Sequence, residues 1–246
     1  MLEVRDLNVF HGDLHVLHGV SLRVEAGEAV GVVGANGHGK STLLKAICGL
    51  IAIRSGDVLF AGSRINGLDA PDLVARGLVY VAEERHLFLD MTVRENLMLG
   101  AYLPAAQKRR AESLELVFAL YPRLKERQHQ LAKTLSGGEA QMLALGRGLM
   151  SAAKLMAIDE PSFGLAPNLV QAMFETIKRV NEAGITLLLV EQNFSQLEGF
   201  ITRVYQLEEG RIVRVEVRHT VPRDEASTNV SPAMHGGSSP GMNAPR

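Results

Sequence analysis

Eight consecutive residues, Gly34-Ala35-Asn36-Gly37-His38-Gly39-Lys40-Ser41, carry the spacing G-x-x-x-x-G-K-[ST], and the chemistry that spacing serves is phosphate binding. Glycines at 34, 37 and 39 let backbone N–H groups turn inward toward anionic oxygens, and a helix starting just after them adds unpaired amides and a positive dipole end. Lys40 is placed to reach β- and γ-phosphates, with the Ser41 hydroxyl as a ligand for Mg²⁺. A second group is the carboxylate pair Asp159-Glu160, which ends the apolar run Leu155 to Ile158 and is stopped by Pro161. Asp159 can hold Mg²⁺ through its water shell, while Glu160 can polarise a water for in-line attack on the γ-phosphate, a contribution of roughly 10²- to 10⁴-fold. The third group, Leu135-Ser136-Gly137-Gly138-Glu139, reads as a helix start with a hydroxyl and two glycines, able to accept an anion as the first loop does. One lysine motif serves two anion-accepting ends. The second end is therefore expected to complete the site of a facing subunit, in a head-to-tail nucleotide sandwich.

Such residues need a scaffold that brings them to one edge. Residues 2 to 9 and 16 to 24 alternate as strands of an antiparallel layer, Ala29 to Val33 form the short apolar strand before the loop, and Thr42 to Ile47 begin a helix. Gly56 to Gly62 adds a short strand, and Gly77 to Ala82 is a buried-type strand that stops at Glu83-Glu84-Arg85-His86. From Thr92 to about Lys133 the periodicity becomes helical, opening with a capping box at Thr92 and including a helix over Ala105 to Leu120. A helix over Ala140 to Met150, an amphipathic helix carrying Leu169, Met173, Phe174 and Ile177, and a strand over Ile185 to Val190 follow. Residues 204 to 218 read as a hairpin about Glu209-Gly210. Apolar strands alternating with helices indicate a mostly parallel sheet covered on both faces, and Gly34, Glu83, Asp159 and Gln192 each follow a strand end, where ligands bind in such sheets.

Composition narrows the function classes. The chain has 246 residues, 46% hydrophobic, with 26 Lys plus Arg against 27 Asp plus Glu, so there is a sizeable core and no global basic field to draw it to nucleic acid. Its single cysteine, Cys48, excludes an internal disulfide and lies in the apolar pattern of the helix after the loop, where it reads as packing. No apolar run approaches the roughly 18 residues of a spanning helix, and Met1 to Asp6 does not read as a signal peptide, so any membrane role is expected to be peripheral. His11, His15 and His18 invite a metal reading, but their spacing shares a face only on a helix, and the segment alternates as a strand. The last residues, from Val221, hold four Pro, three Gly and four Ser without periodicity and read as a disordered tail.

Ser136 to Met150, Asp159 to Pro167, Tyr80 to Arg85 and Leu189 to Asn193, taken with the phosphate loop, resemble the ATP-binding cassette ATPases over residues 1 to about 218. Within that family they look like the second ATPase subunit of high-affinity branched-chain amino acid importers. The resemblance implies a P-loop NTPase (RecA-like) α/β fold with an N-terminal antiparallel β layer and an inserted α-helical subdomain. Its expected division is 1–86 and 152–219 as the nucleotide-binding core, 87–151 as the helical subdomain ending in the signature, and 220–246 as the tail. It implies ATP and Mg²⁺ as cofactors and ATP hydrolysis coupled to transport. Gly34, Asn36, Gly37, His38, Gly39, Lys40, Ser41 and Thr42 would hold the phosphates, His11 and Val16 would lie at the adenine, and Ser136, Gly137 and Gly138 would cap the partner's γ-phosphate. Glu160, Gln192 and Glu83 would be the catalytic residues, and Ser41, Asp159 and Glu83 the metal ligands.

The chain departs from the commonest pattern at Glu83, Gln192 and His11, and at Ala35 and His38 in the variable positions of the phosphate loop. Glu83 stands where most cassette ATPases have glutamine and Gln192 where they have histidine, so hydrolysis at the site built on this chain's own loop is expected to be slower than at its partner site. His11 replaces the usual adenine-stacking tyrosine, with Phe10 or His11 left to supply a stacking face. The implied partners are a second ATPase subunit (a heterodimer, or a homodimer in isolation), two permease subunits and, indirectly, a periplasmic binding protein, with no nucleic acid. The implied place is the cytoplasmic face of the inner membrane, as a peripheral subunit. The permease contacts are expected from the helical block and the loop after Glu83. Urea, short amides or aromatic acids are alternative cargo. A soluble repair or translation cassette would need a long coiled-coil insertion or a second cassette, and a phosphate-loop kinase would leave Leu135 to Glu139 unexplained.

Overall fold

The computed structural model describes residues 1–197 and 199–218, so the expected tail, 220–246, lies outside the described residues. The chain opens with β1 (Leu2–His11) and β2 (Leu14–Val24), then β3 (Ala29–Val33), which runs through the glycine loop into α1 (Lys40–Ile47). After α1 come β4 (Ile53–Phe60), β5 (Ser63–Arg64), α2 (Ala70–Arg76) and β6 (Leu78–Val81). The helical stretch holds α3 (Val93–Gly100), α4 (Pro104–Lys108), α5 (Arg110–Leu120), α6 (Pro122–Glu126) and α7 (Gly137–Leu149). The chain continues through β7 (Leu155–Asp159), α8 (Pro167–Glu182), β8 (Thr186–Glu191), β9 (Arg203–Glu208) and β10 (Arg211–Val217).

Two sheets result, one antiparallel in the order β2-β1-β4-β5 and one in the order β10-β9-β3-β8-β7-β6. β4, which the sequence suggested only as a short separate strand, pairs antiparallel with β1, Leu2 opposite Phe60 and Val4 opposite Val58. That register slips after Arg5, and Gly56, at φ 93°, sits where a Cβ would collide with the carbonyl oxygens of Arg5 and Asp6. In the second sheet β3, β6, β7, β8 and β9 are mutually parallel and only β10 runs antiparallel, against β9. Parallel strands deliver their following loops to one edge, which is why Gly34, Glu83, Asp159 and Gln192 emerge on the same side.

Strand alternation divides the core in two. On β7, Leu155 and Ala157 face the antiparallel layer and α1, while Met156 and Ile158 face α7 and α8; on β8, Leu188 and Val190 oppose Leu187 and Leu189 in the same way. Both faces being covered accounts for the unbroken apolar runs of these strands. The second core also takes in Leu97, Val117, Phe118, Leu124 and Leu143, so the helices are built on one face of the parallel sheet.

Several local expectations are corrected. The helix expected over Ala105 to Leu120 breaks at Arg109, which ends α4 and begins α5, although the stretch contains neither Gly nor an internal Pro to mark it. The helix expected from Ala140 begins at Gly137, because Ser136 caps it: its Oγ accepts the Glu139 N–H at 3.4 Å, while Glu139 Oε2 accepts the Ser136 N–H at 2.9 Å. The strand argument for keeping the histidines apart also fails in part. Register slips between Val9 and Phe10 let Phe10 stack on His15 (4.1 Å, 8°), and the rings of His15 and His18 approach to 3.8 Å. Even so, no group of three or more His, Cys, Asp or Glu among the described residues could hold a metal ion.

Candidate functional site

The loop from Gly34 to Gly39 leaves β3 and enters α1, and two glycine positions have strict reasons. Gly39, the residue before the helix, has φ 97° and lies against Leu17 and Val16 of β2. A Cβ at Gly34 would collide with the Leu207 carbonyl oxygen. The loop is thus pressed between the antiparallel layer and β9. Lys40, 3% exposed, cannot leave its charge unpaired; its Nζ donates to the Ala35 carbonyl at 3.2 Å and meets Glu160 Oε1 at 2.9 Å.

Asp159 ends β7 and is 1% exposed. The Ser41 hydroxyl donates to its Oδ1 at 2.9 Å, and the Tyr80 hydroxyl, from β6, donates to its Oδ2 at 2.7 Å. Burial pushes the Asp159 carboxyl above the ordinary carboxylate range, while the bonds from Tyr80 and Ser41 pull it back down. Burial, with the Asp159 bond adding, drives the Tyr80 phenol up, so it stays a donor. Glu83 is raised as well, first by burial and then by the charges of Glu160 and Asp159. Glu160 adopts φ 39°, rare for a residue with a Cβ, and its N–H is held by the Val190 carbonyl at 3.1 Å.

One cleft of about 530 Å³ collects most of the expected site residues: His11, Val16, Asn36, Gly37, Gly39, Lys40, Ser41, Thr42, Glu83 and Glu160. Phe163, on the turn after Glu160, lines it too and was not singled out from the sequence. His11 Nε2 lies 3.2 Å from the Thr42 hydroxyl, and with Phe10 stacked on His15, His11 is the ring left to face a base. Gly34, His38 and Gln192 line a different cavity of about 420 Å³ on the other side of the loop. The His38 side chain turns to that cavity, its Nδ1 3.2 Å from the Leu207 carbonyl oxygen, which leaves its backbone N–H as the group able to meet a phosphate.

Ser136, Gly137 and Gly138 do not line the cleft. They form the first turn of α7, where the amides of Gly137 and Gly138 precede any intrahelical partner. The Arg85 guanidinium stands beside Gly137, within about 4 Å of where a Cβ would be, and adds positive charge at this helix end. Glu139, opposed by burial but favoured by Ser136 and by Arg127 at 3.1 Å, is held below its usual range.

The donors fit a hard divalent cation. Ser41 and Asp159 present hydroxyl and carboxylate oxygens 2.9 Å apart at the foot of the cleft. Mg²⁺ typically takes one or two protein oxygens and completes its shell from phosphate and water, so a full protein cage is not required.

Comparison with known proteins gives one answer at each level. The family model described as ABC transporter matches residues 17–163. The high-affinity branched-chain amino acid transport ATP-binding protein BraG of Pseudomonas aeruginosa is 43% identical over 213 residues, covering 87% of this chain and 91% of its own. A probable branched-chain amino acid transport ATP-binding protein, LivF, of Archaeoglobus fulgidus is 34% identical, covering 86% and 90%. Among solved structures, a nucleotide-free ATP-binding cassette from an ABC transporter superposes with a TM-score of 0.78 at 27% identity, over 89% of this chain and 92% of that one. A dimeric cassette in a post-hydrolysis state with ADP and phosphate gives 0.73 at 26% identity, over 89% and 99%.

Proposed function

The chain belongs to the ABC transporter family, and from that premise we propose that it is the ATP-hydrolysing subunit of an importer for branched-chain amino acids. The observation that carries the reading is the single cleft in which Lys40, Ser41, Glu83 and Glu160 meet, with Asp159 bonded at its foot to Ser41. Lys40 and the loop amides bind the phosphates, and Ser41 with Asp159, joined by Glu83, would hold Mg²⁺. When bound there, Mg²⁺ supplies charge neutralisation on the phosphate oxygens.

An arriving triphosphate competes with Glu160 for the Lys40 ammonium. Exchange of partners releases the Glu160 carboxylate, which then takes a proton from the attacking water as the γ-phosphate departs. His11 and Val16 form the wall for the base. Ser136, Gly137 and Gly138 act in trans, capping the γ-phosphate held by a second ATPase subunit, with Arg127 at 3.1 Å offsetting the Glu139 charge. Gln192 acts on the γ-phosphate from the far side of the loop, and together with Glu83 it makes this chain's own site the slower of the two.

We assign 87–151 as a helical subdomain set into a nucleotide-binding core of 1–86 and 152–219, a division supported by the run of helices from Val93 to Leu149. Its permease contact is best supported at a cavity of about 800 Å³ between β6, α3 and α7, where Phe88 and Tyr102, both about half exposed, flank Glu84 and Arg85. No helix among the described residues is long and apolar enough to cross a membrane, in keeping with a peripheral subunit carried on the cytoplasmic face by two permease chains. Glu160→Gln tests the reading: Mg-ATP affinity stays within about two-fold while turnover falls about 100-fold or more. Near-normal turnover removes Glu160 from the base role.

A further inference from the structure

Glu191, the last residue of β8, is 2% exposed and has no part in the chemistry assigned above. Its Oε1 accepts the Ser162 N–H at 3.1 Å, and its Oε2 accepts the Ser162 hydroxyl at 3.0 Å and the Gln192 N–H at 3.3 Å. Ser162 stands two residues after Glu160, within the turn closed by the Phe163 N–H on the Glu160 carbonyl at 3.0 Å. Two successive residues of β8 therefore grip one turn, Val190 through the Glu160 N–H and Glu191 through both donors of Ser162.

A buried carboxylate whose three donors here are neutral is a costly way to fill space, since the charged form loses its water. Burial pushes Glu191 up to about 7, with the Ser162 and Gln192 bonds opposing and the Glu160 charge assisting. What the carboxylate supplies, and an apolar side chain could not, is a bidentate hold on the turn that keeps Glu160 at φ 39°. A residue in that region persists only where its surroundings over-determine it.

We propose that Glu191 is a positioning residue for hydrolysis, clamping the turn that carries Glu160 and Phe163 to the segment that carries Gln192 so that the two sides of the γ-phosphate site move as one. The proposal rests on the reading of Glu160 as base. A base held about 1 Å out of line loses on the order of 10²-fold. The loss falls on the chemical step, because the Glu191 carboxylate bonds only Ser162 and the Gln192 N–H, while the Gly34 N–H of the phosphate loop reaches the Glu191 backbone carbonyl at 3.3 Å, which side-chain variants leave in place.

The test is ATPase kinetics and Mg-ATP affinity of the full chain in its assembled transporter. Glu191→Ala is expected to lower kcat about 10-fold or more with affinity within about two-fold, and Glu191→Gln, which keeps an acceptor for the Ser162 N–H, to recover most of it. Ser162→Ala is expected to lower kcat in the same direction, and the double variant with Glu191→Ala to be no worse than Glu191→Ala alone. Where Glu191→Ala does not fold, Ser162→Ala and Glu191→Gln carry the test. Folded variants with unchanged kcat, additive losses, or a loss in affinity equal to that in kcat overturn the proposal. Glu160→Gln separates the two readings: normal turnover there removes the base, whereas slow Glu160→Gln with fast Glu191→Ala removes only the clamp.

Discussion

Tyr80→Phe removes one oxygen and leaves the ring in place, so its effect isolates the 2.7 Å bond from the phenol to Asp159 Oδ2. Asp159 is 1% exposed, and a hydrogen bond to a charged group of this kind is worth about 1.5–3 kcal/mol. Because burial already raises the Asp159 carboxyl, losing one of its two side-chain donors raises it further. The sign follows from linkage. A carboxyl raised in the folded state costs stability as pH climbs through its titration, and the variant is raised more, so the gap between variant and parent widens toward alkaline pH. At pH 8 the deficit should be about 1.5–3 kcal/mol, or roughly 3–12 °C in Tm for a chain of this size. It should shrink as pH falls and the carboxyl takes its proton. Urea unfolding as a function of pH reads the gap directly, and a Mg²⁺ titration of ATPase activity should move to higher metal concentration in the variant. A deficit below about 0.5 kcal/mol at pH 8, or one that grows as pH falls, would refute the argument that the phenol supports the charged Asp159.

Lys40→Ala deletes the buried cation between Ala35 and Glu160, and calorimetry should find Mg-ATP binding weakened at least about 100-fold; unchanged affinity counts against the cradle. Ser136→Ala removes the cap of α7 and should cost about 1 kcal/mol, seen as roughly 2–4 °C in Tm; a neutral result means the capping box is not holding that helix end. Glu191→Gln abolishes a titration that burial moves from 4.5 to about 7, so relative to the parent it should gain roughly 3 kcal/mol between pH 4.5 and pH 8. A gap that does not change with pH shows that Glu191 is not held in that raised state.

The phosphate loop and the carboxylate pair were legible because their chemistry is local: residue types, fixed spacing and the strand or helix on either side specify them. The parallel sheet was legible from apolar runs too continuous for one-sided burial, and the cap of α3 from Thr92 and Glu95 three residues apart. Pairing across the chain was not. Tyr80 meets Asp159 across 79 residues and Glu191 meets Ser162 across 29, and no local spacing encodes either bond. Once β6 and β7 are known to be adjacent and parallel, with Tyr80 opposite Ala157, a phenol near the end of the neighbouring strand becomes an evident partner for Asp159. The orientation of His38 escaped for a related reason, since its imidazole is set by the Leu207 carbonyl, 169 residues on. The approach of His15 to His18 depends on register slips in the β1–β2 hairpin, which alternation alone cannot reveal.

Turnover depends on a triphosphate gripped by the glycine loop of one subunit and the Ser136-Gly137-Gly138 turn of the other. An ATP analogue with a photoreactive γ-phosphate, cross-linked in the assembled transporter and mapped by mass spectrometry, reads that arrangement directly. Labels are expected on residues 136–138 of this chain, and they should persist when Lys40→Ala disables its own cradle, because the nucleotide they touch is held by the partner. Labels confined to residues 36–42, or labels on 136–138 that vanish with Lys40→Ala, would contradict it.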